Sequence, residues 1–165
     1  MRIALAAVTV VMPVVLSTGR GPAEPPDPTG WVAPVAQVSV VQPFDPPEQV
    51  WSAGHRGVDL VAEPGTATLA PCAGTVTFVG TVVDRPVLTV GCQDGLRSSV
   101  EPVLGTVTVG QRVVPGDPVG TVVASAATHC APATCLHWGV RRGTQYVDPM
   151  SLLRGAGPIV LLPDP

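Results

Sequence analysis

GHRGVDL, at Gly54–Leu60, and CLHWG, at Cys135–Gly139, decide how this chain is interpreted. Together they supply two of the three histidines in the chain, His55 and His137, and one carboxylate, Asp59. Each segment is rich in glycine and valine or follows turn-forming residues, which is typical of a strand beside a turn. Two imidazoles and one carboxylate suit a zinc ion and leave one coordination position open for chemistry. We therefore take His55, Asp59 and His137 as candidate metal ligands.

The composition favours a β-rich domain and excludes two classes of partner. The 165 residues suffice for one domain with a core, and a hydrophobic content of 45% excludes wholesale disorder. The 18 glycines and 20 prolines favour short strands and tight turns over long helices. The chain has no lysine, and its net charge is −3. It therefore has neither the basic face that nucleic acid requires nor a polybasic segment for an anionic membrane.

Composition also divides the chain into four parts. Residues 1–23 resemble a signal peptide, because Arg2 precedes an apolar run too short to span a bilayer and small residues follow it. An uncleaved membrane anchor is the alternative interpretation. We interpret residues 24–30 as a Pro- and Gly-rich linker, 31–154 as the domain and 155–165 as a C-terminal tail. The expected location is therefore outside the cell, at the cell envelope.

Apolar runs of strand length recur between turn signals, and none has the 3.6-residue period of an amphipathic helix. The sequence therefore predicts an all-β fold, an antiparallel β-sandwich or open barrel with a repeated glycine-rich motif. The predicted strands are 36–41, 74–79, 87–90, 96–100, 107–109, 119–123 and 136–140. The only predicted helical turn is Pro149–Leu153, where Asp148 can act as the cap.

The four cysteines indicate disulfides if the protein is secreted. We favour Cys72 with Cys92, because an antiparallel sheet can bring these strand ends together. We favour Cys130 with Cys135, because they bracket a small loop. Chain entropy assigns about 3 kcal/mol to the first bond and about 2 kcal/mol to the second. A reduced, metal-binding pair of cysteines is the alternative.

Five segments, in the same order along the chain, resemble those of lysostaphin- and LytM-type zinc metallopeptidases. Gly54–Leu60 is similar to their H-x-x-x-D segment, and Leu136–Arg141 is similar to their H-x-H strand. Gly95–Val100 resembles the strand before a mid-domain histidine, and Val109–Gly120 resembles the glycine-rich segment that follows it. Val147–Pro149 resembles their closing V-D-P turn. The similarity extends over residues 31–153, nearly all of the expected mature chain.

The resemblance implies an antiparallel β-fold with a groove, and hydrolysis of peptide bonds in peptidoglycan. Carried over by position, it implies Zn²⁺ as the cofactor and His55, Asp59 and His137 as its ligands. The family's two other histidines, beside the metal-bound water and the developing oxyanion, are missing here. An ungapped comparison places Pro102 at one of these positions and Cys135 at the other. Carriers of lipoate or biotin share the glycine-rich pattern, but a chain without lysine cannot attach such an arm.

Two side chains are candidates for the missing catalytic role. Glu101 neighbours one vacant histidine position, and a bulge at Pro102 could turn its carboxylate toward the metal. His129 could be folded back over the groove by a Cys130–Cys135 loop. As an alternative, a free Cys135 thiolate could complete a closed metal shell, which would be structural rather than catalytic.

Two functional hypotheses follow from these residues. The first is a secreted, monomeric zinc metalloendopeptidase that acts on peptidoglycan peptides with Glu101 or His129 as a non-standard base. In that enzyme Arg141, close to His137 in sequence, could orient a carboxylate of the substrate. The second is a catalytically inactive module that binds peptidoglycan or regulates a partner hydrolase and retains the metal site. The loss of both catalytic histidines motivates this second hypothesis.

Overall fold

The computed structural model describes residues 30–49, 51–125, 130 and 133–153. The predicted signal peptide, the linker before Gly30, the C-terminal tail and the candidate base His129 lie outside these residues. No helix within the described ranges is long and apolar enough to cross a membrane. Because the described residues end close to both expected boundaries, the domain limits at 31 and 154 stay a prediction.

The described residues form eleven strands and one short 3₁₀ helix. The strands are β1 (Val40–Gln42), β2 (Val58–Val61), β3 (Ala67–Leu69), β4 (Gly74–Val82), β5 (Arg85–Cys92), β6 (Arg97–Glu101), β7 (Val103–Gly105), β8 (Arg112–Val113), β9 (Pro118–Val122), β10 (Cys135–Arg142) and β11 (Gln145–Val147). The 3₁₀ helix is Pro149–Leu152. Its N-cap is Asp148, as predicted, and the Asp148 carboxylate accepts a hydrogen bond from the backbone N–H of Met150 at 2.9 Å.

The strands form two sheets, and every named strand pair in the described residues is antiparallel. The larger sheet has the order β1-β2-β10-β6-β5-β4-β8, with β11 paired to the far end of β10. The smaller sheet has the order β3-β9-β7. This architecture confirms the predicted antiparallel all-β fold, and it places β10 between β2 and β6 in the larger sheet.

The core lies on one face of the larger sheet, because side chains along a strand alternate between faces. On β10, Leu136, Trp138 and Val140 are fully buried, whereas His137 between them points to the opposite face and is only partly buried. The indole N–H of Trp138 donates to the hydroxyl of Ser98 at 2.9 Å, so this buried polar group is satisfied. The apolar alternation of β10 thus directs His137 away from the core.

The predicted strand at 107–109 is wrong. These residues lie in the turn region between β7 and β8, where Gly110 has a φ of +90° and donates its backbone N–H to the carbonyl of Val76 at 2.8 Å. The left-handed conformation of Gly110 turns the chain before a ladder can form. The predicted run 36–41 contributes only the short edge strand β1, and β3, β7, β8 and β11 are strands that the apolar runs do not indicate. β2 begins within Gly54–Leu60, the segment expected to be a strand beside a turn.

Both favoured disulfides are present. Cys72 and Cys92 have Cα atoms 5.8 Å apart, and Gly74 at the start of β4 pairs with Cys92 at the end of β5. Cys130 and Cys135 have Cα atoms 5.9 Å apart. The alternative hypotheses, a reduced metal-binding pair and a metal shell closed by a free Cys135, are therefore wrong, because no thiol is free among the four cysteines.

An isolated parallel bridge joins Trp31, near the start of the described chain, to Leu153 at its end. The indole N–H of Trp31 donates to the carboxylate of Asp94 at 2.9 Å. Its ring lies 6.4 Å from the ring of Trp138, measured between centroids. The first described segment is thus anchored against the core.

Candidate metal centre

The candidate ligands Asp59 and His137 come from neighbouring strands. β2 and β10 are antiparallel, and their register places Asp59 directly opposite His137. Paired residues in a ladder project their side chains to the same face. The carboxylate oxygen Oδ1 of Asp59 therefore lies 2.7 Å from Nδ1 of His137, although the two residues are 78 positions apart in sequence.

The third candidate ligand, His55, is held by the segment before it. His55 and Asp45 form an isolated antiparallel β-bridge. The backbone N–H of His55 donates to the carbonyl of Asp45 at 2.7 Å, and that of Asp45 donates to the carbonyl of His55 at 3.0 Å. The ring nitrogen Nδ1 of His55 lies 2.7 Å from the backbone carbonyl of Pro43. A carbonyl oxygen can only accept, so Nδ1 carries a proton and Nε2 is the ring nitrogen directed into the site. A histidine whose second nitrogen is fixed in this way is typical of metal ligands.

The glycine inside the first motif, Gly57, makes room for the ring of His137. A Cβ atom on Gly57 would lie 2.7 Å from Nε2 of His137 and would also collide with the backbone carbonyl of Trp138. No real Cβ tolerates such contacts, so the H-x-G-x-D spacing reflects a steric requirement as well as the positions of two ligands. The sequence analysis recognised the motif without identifying this role of Gly57.

Three ligand atoms converge on one point at the floor of the site. Nε2 of His55 lies 3.1 Å from Oδ1 of Asp59 and 3.1 Å from Nδ1 of His137. Asp59 is fully buried, His55 is 5% exposed, and the side chain of His137 is 18% exposed. Since zinc binds nitrogen and oxygen at about 2.0–2.2 Å, these three atoms are close enough to share one ion. Two imidazole nitrogens and one carboxylate oxygen in a buried cluster suit a cation, so the residues fit zinc.

A groove of about 580 Å³ opens in front of the three ligand atoms, and His55 and His137 line it. Glu101 lines the same groove, because it is the residue of β6 directly opposite His137 of β10. Asp59, His137 and Glu101 therefore form one row across β2, β10 and β6. Pro102 is buried instead, so Glu101 is the residue of this pair that faces the groove.

Arg85 holds the carboxylate of Glu101. Its Nε atom donates to Oε1 of Glu101 at 2.8 Å, and the side chains are 32% and 19% exposed. The hydrogen bond and the charge of Glu101 raise the pKa of Arg85 above its usual value. Arg85 is therefore cationic throughout the physiological pH range. Nothing local to the position of Arg85 at the start of β5 indicates a contact with Glu101, so the sequence carries no signal for it.

Cys135 lies on the same face of β10 as His137, but its sulfur is bonded to Cys130. Both sulfur atoms lie within 4.8 Å of a carboxylate oxygen of Asp59. As a disulfide they have no thiolate with which to bind a metal. The cysteine pair therefore forms one end of the site without adding a ligand.

One family model matches this chain over more than half of its length. The model of peptidase family M23 matches residues 53–149, which include all three candidate ligands. An uncharacterized protein of Mycobacterium tuberculosis (strain ATCC 25618 / H37Rv) is 44% identical over 131 residues, which cover 76% of this chain. The chain spans about half the length of the curated relatives it matches, 51% in this case.

Two solved structures share the fold. A zinc-containing peptidase from Vibrio cholerae superposes with a TM-score of 0.61 at 19% identity, over 72% of this chain and 38% of the other. The catalytic domain of the antimicrobial peptidase lysostaphin from Staphylococcus simulans superposes with a TM-score of 0.58 at 21% identity, over 69% of this chain and 90% of the other.

Proposed function

Because the chain belongs to peptidase family M23, we propose that it is a zinc metalloendopeptidase of the lysostaphin/LytM type that acts on peptidoglycan peptides. The observation that carries the proposal is the convergence of His55, Asp59 and His137 on one point at the floor of an open groove. A purely structural zinc site is closed by four protein ligands, whereas a catalytic site has three and an open position.

In this proposal each of the three ligands has a defined role. His55 presents Nε2 because the Pro43 carbonyl holds its Nδ1 proton. His137 presents Nδ1, and Asp59 supplies the negative charge from a fully buried position. These three residues would hold a zinc ion, which would supply Lewis acidity for a coordinated water, with a pKa of about 7, and for a peptide carbonyl.

Glu101 is the proposed general base. Its carboxylate faces the groove from the strand next to His137, and Arg85 restricts its orientation. A carboxylate in this position accepts a proton from the attacking water and returns it to the leaving amine, and such a group contributes about 10²–10⁴-fold to the rate. His129, outside the described residues, is the other candidate from the sequence.

We place the protein outside the cell, at the cell envelope. The two disulfides support this location, because such bonds persist in oxidising compartments. The net charge of −3 offers no footprint for nucleic acid. We expect a monomer of the domain at residues 31–154, with peptidoglycan peptides as its partner.

The test is digestion of purified peptidoglycan by the zinc-loaded protein, with new amino termini as the readout. We expect their release by the wild type and none by His55→Ala. Arg112→Gln, an exposed position on the edge strand β8 outside the groove, is the matched control. Thermal melting checks that each variant is folded. Equal release by wild type and His55→Ala would overturn the proposed mechanism.

A second candidate function is a catalytically inactive module that binds peptidoglycan or a partner hydrolase. The ion pair with Arg85 favours it, because the guanidinium already occupies a carboxylate oxygen of Glu101. The same digestion distinguishes the two functions. An inactive module sediments with insoluble peptidoglycan and releases no new amino termini, whereas the peptidase releases soluble fragments.

A further inference from the structure

The groove in front of the metal site is cationic, although the chain as a whole is acidic. Four arginines line it, Arg56, Arg85, Arg97 and Arg141, and Glu101 is the only acid among its described lining residues. The whole chain has a net charge of −3. The positive charge of the groove is therefore a local arrangement and does not follow from the average composition.

Arg97 and Arg141 have no acidic partner among the residues that the structure describes. Arg85 is paired with Glu101. Arg141 donates one hydrogen bond to the backbone carbonyl of Gly143 at 3.1 Å, and no carboxylate contacts it among the described residues. Arg97 is exposed, and its side chain makes no hydrogen bond or ion pair within the described part of the chain. Donor groups of Arg97 and Arg141 thus remain available to a ligand in the groove.

Arg97 and Arg141 also lie directly opposite each other in the β6–β10 pair. Like charges at directly opposed positions of an antiparallel pair destabilise a sheet. Both side chains project to the groove face, as do Glu101 and His137 further along the same strands. A ligand carboxylate between the two guanidinium groups would relieve this repulsion, and the planar guanidinium fork matches the geometry of a carboxylate.

The arginine pair lies at a defined distance from the metal site. Arg141 follows His137 by four residues on β10, so their Cα atoms are about 13 Å apart. An extended peptide covers the same distance with about four residues. We propose that Arg97 and Arg141 form a carboxylate-binding subsite, and that the preferred substrate is a peptide with a free carboxylate about four residues from the cleaved bond. This inference deepens the proposed peptidase function and depends on it for the position of cleavage.

The test of the carboxylate-binding subsite is the binding of this protein to three dansylated octapeptides, each with glycine and alanine before its last residue. The first has a C-terminal Glu with an amidated terminus, the second a C-terminal Gln with a free terminus, and the third a C-terminal Gln with an amidated terminus. Fluorescence anisotropy at low salt with metal-free protein measures affinity without cleavage, and zinc-loaded protein then tests whether the same peptides are cleaved. The first two peptides separate a side-chain carboxylate from a terminal one.

We expect the wild type to bind at least one of the carboxylate peptides about tenfold more tightly than the fully neutral peptide. Arg97→Gln and Arg141→Gln should each remove most of that preference and leave the affinity for the neutral peptide unchanged. Arg141→Lys should retain part of the preference, because it keeps the charge and loses the fork. Arg112→Gln, exposed on β8 and outside the groove, should behave as wild type.

Equal affinity for all three peptides, including absence of binding to any of them, would overturn the subsite. An equal preference in wild type and in both arginine variants would overturn it as well. Failure of the proposed peptidase function gives a different result, in which no peptide or peptidoglycan is cleaved but the carboxylate preference and its dependence on Arg97 and Arg141 persist.

Discussion

Glu101 lies directly opposite His137 in the antiparallel pair of β6 and β10, so a carboxylate and a candidate metal ligand face one groove from neighbouring strands. His137 itself lies opposite Asp59 on its other side. The same strand register that brings two candidate ligands together therefore also places Glu101, the proposed base, on the groove face. The following predictions separate these roles.

Glu101→Gln should retain zinc and lose cleavage. The amide has the same shape but cannot accept a proton at neutral pH, so we expect a rate lower by about 10²–10⁴-fold. Peptidoglycan digestion and metal analysis of the same sample measure the two effects. Glu63→Gln, in the exposed loop between β2 and β3, is the control. A wild-type rate in Glu101→Gln would assign the base to another group.

Asp59→Asn should lose zinc. The substitution removes the only negative charge among the three ligands from a fully buried position, so we expect zinc affinity to fall by at least about 100-fold. Competition with a chromophoric chelator measures the affinity. Asp45→Asn, whose exposed side chain lies beside His55 in the backbone bridge, should bind zinc as the wild type does. Full zinc occupancy in Asp59→Asn would exclude the proposed ligand set.

Gly57→Ala should damage the metal site through the ring of His137. The added methyl group would lie 2.7 Å from Nε2 of His137, so the ring or the β2–β10 pairing must shift. We expect lower stability together with loss of zinc. The control is Gly65→Ala, which meets no atom within 4 Å but has a φ of +95°.

The strain in Gly65→Ala should cost about 1 kcal/mol without changing zinc content. Thermal melting and metal analysis of both glycine variants separate a general loss of stability from a specific loss of the site. Equal zinc content in Gly57→Ala and Gly65→Ala would show that Gly57 does not shape the metal centre.

Arg85→Gln should cost little stability. The pair with Glu101 is partly exposed and screened by solvent, so we expect a loss of at most about 1 kcal/mol, smaller at high salt. The pKa of Arg85 is raised in the folded state, so its contribution is fully present below its ordinary pKa and is lost only as the pH rises through the raised value.

The cost of Arg85→Gln should therefore be constant from pH 6 to pH 9. Urea unfolding of wild type and variant across this range, at low and high salt, measures it. A cost of several kcal/mol, or one that rises or falls steadily with pH in this window, would contradict a screened surface pair.

The fold class and both disulfides were predicted correctly, because they depend on local patterns of strand-length apolar runs, turns and cysteine spacing. The pattern at 107–109 was misleading, because the backbone of Gly110 turns the chain where the side chains favour a strand. β2 was expected from its motif and not from an apolar run, since three of its four residues are buried and Asp59 interrupts the apolar ones.

The candidate site was only partly predictable, because its contacts depend on strand register. H-x-G-x-D and the later histidine could be read along the chain, but the direction of Glu101 and its pairing with Arg85 required the alignment of β5, β6 and β10. The Pro43 carbonyl that fixes the His55 ring has no sequence signature at all. Long-range pairing therefore limits what a single sequence can predict about chemistry.

The parallel bridge between Trp31 and Leu153 has a practical consequence for engineering. Two polypeptide ends that emerge side by side allow a folded unit to be inserted into a loop of a host protein, or joined head to tail into a circular permutant. A shortened version without Trp31 would lose the ring that lies against Trp138, and one without Leu153 would lose a side chain packed against the core. Fusion partners should therefore be attached before Trp31 or after Leu153, so that the bridge between these residues is kept.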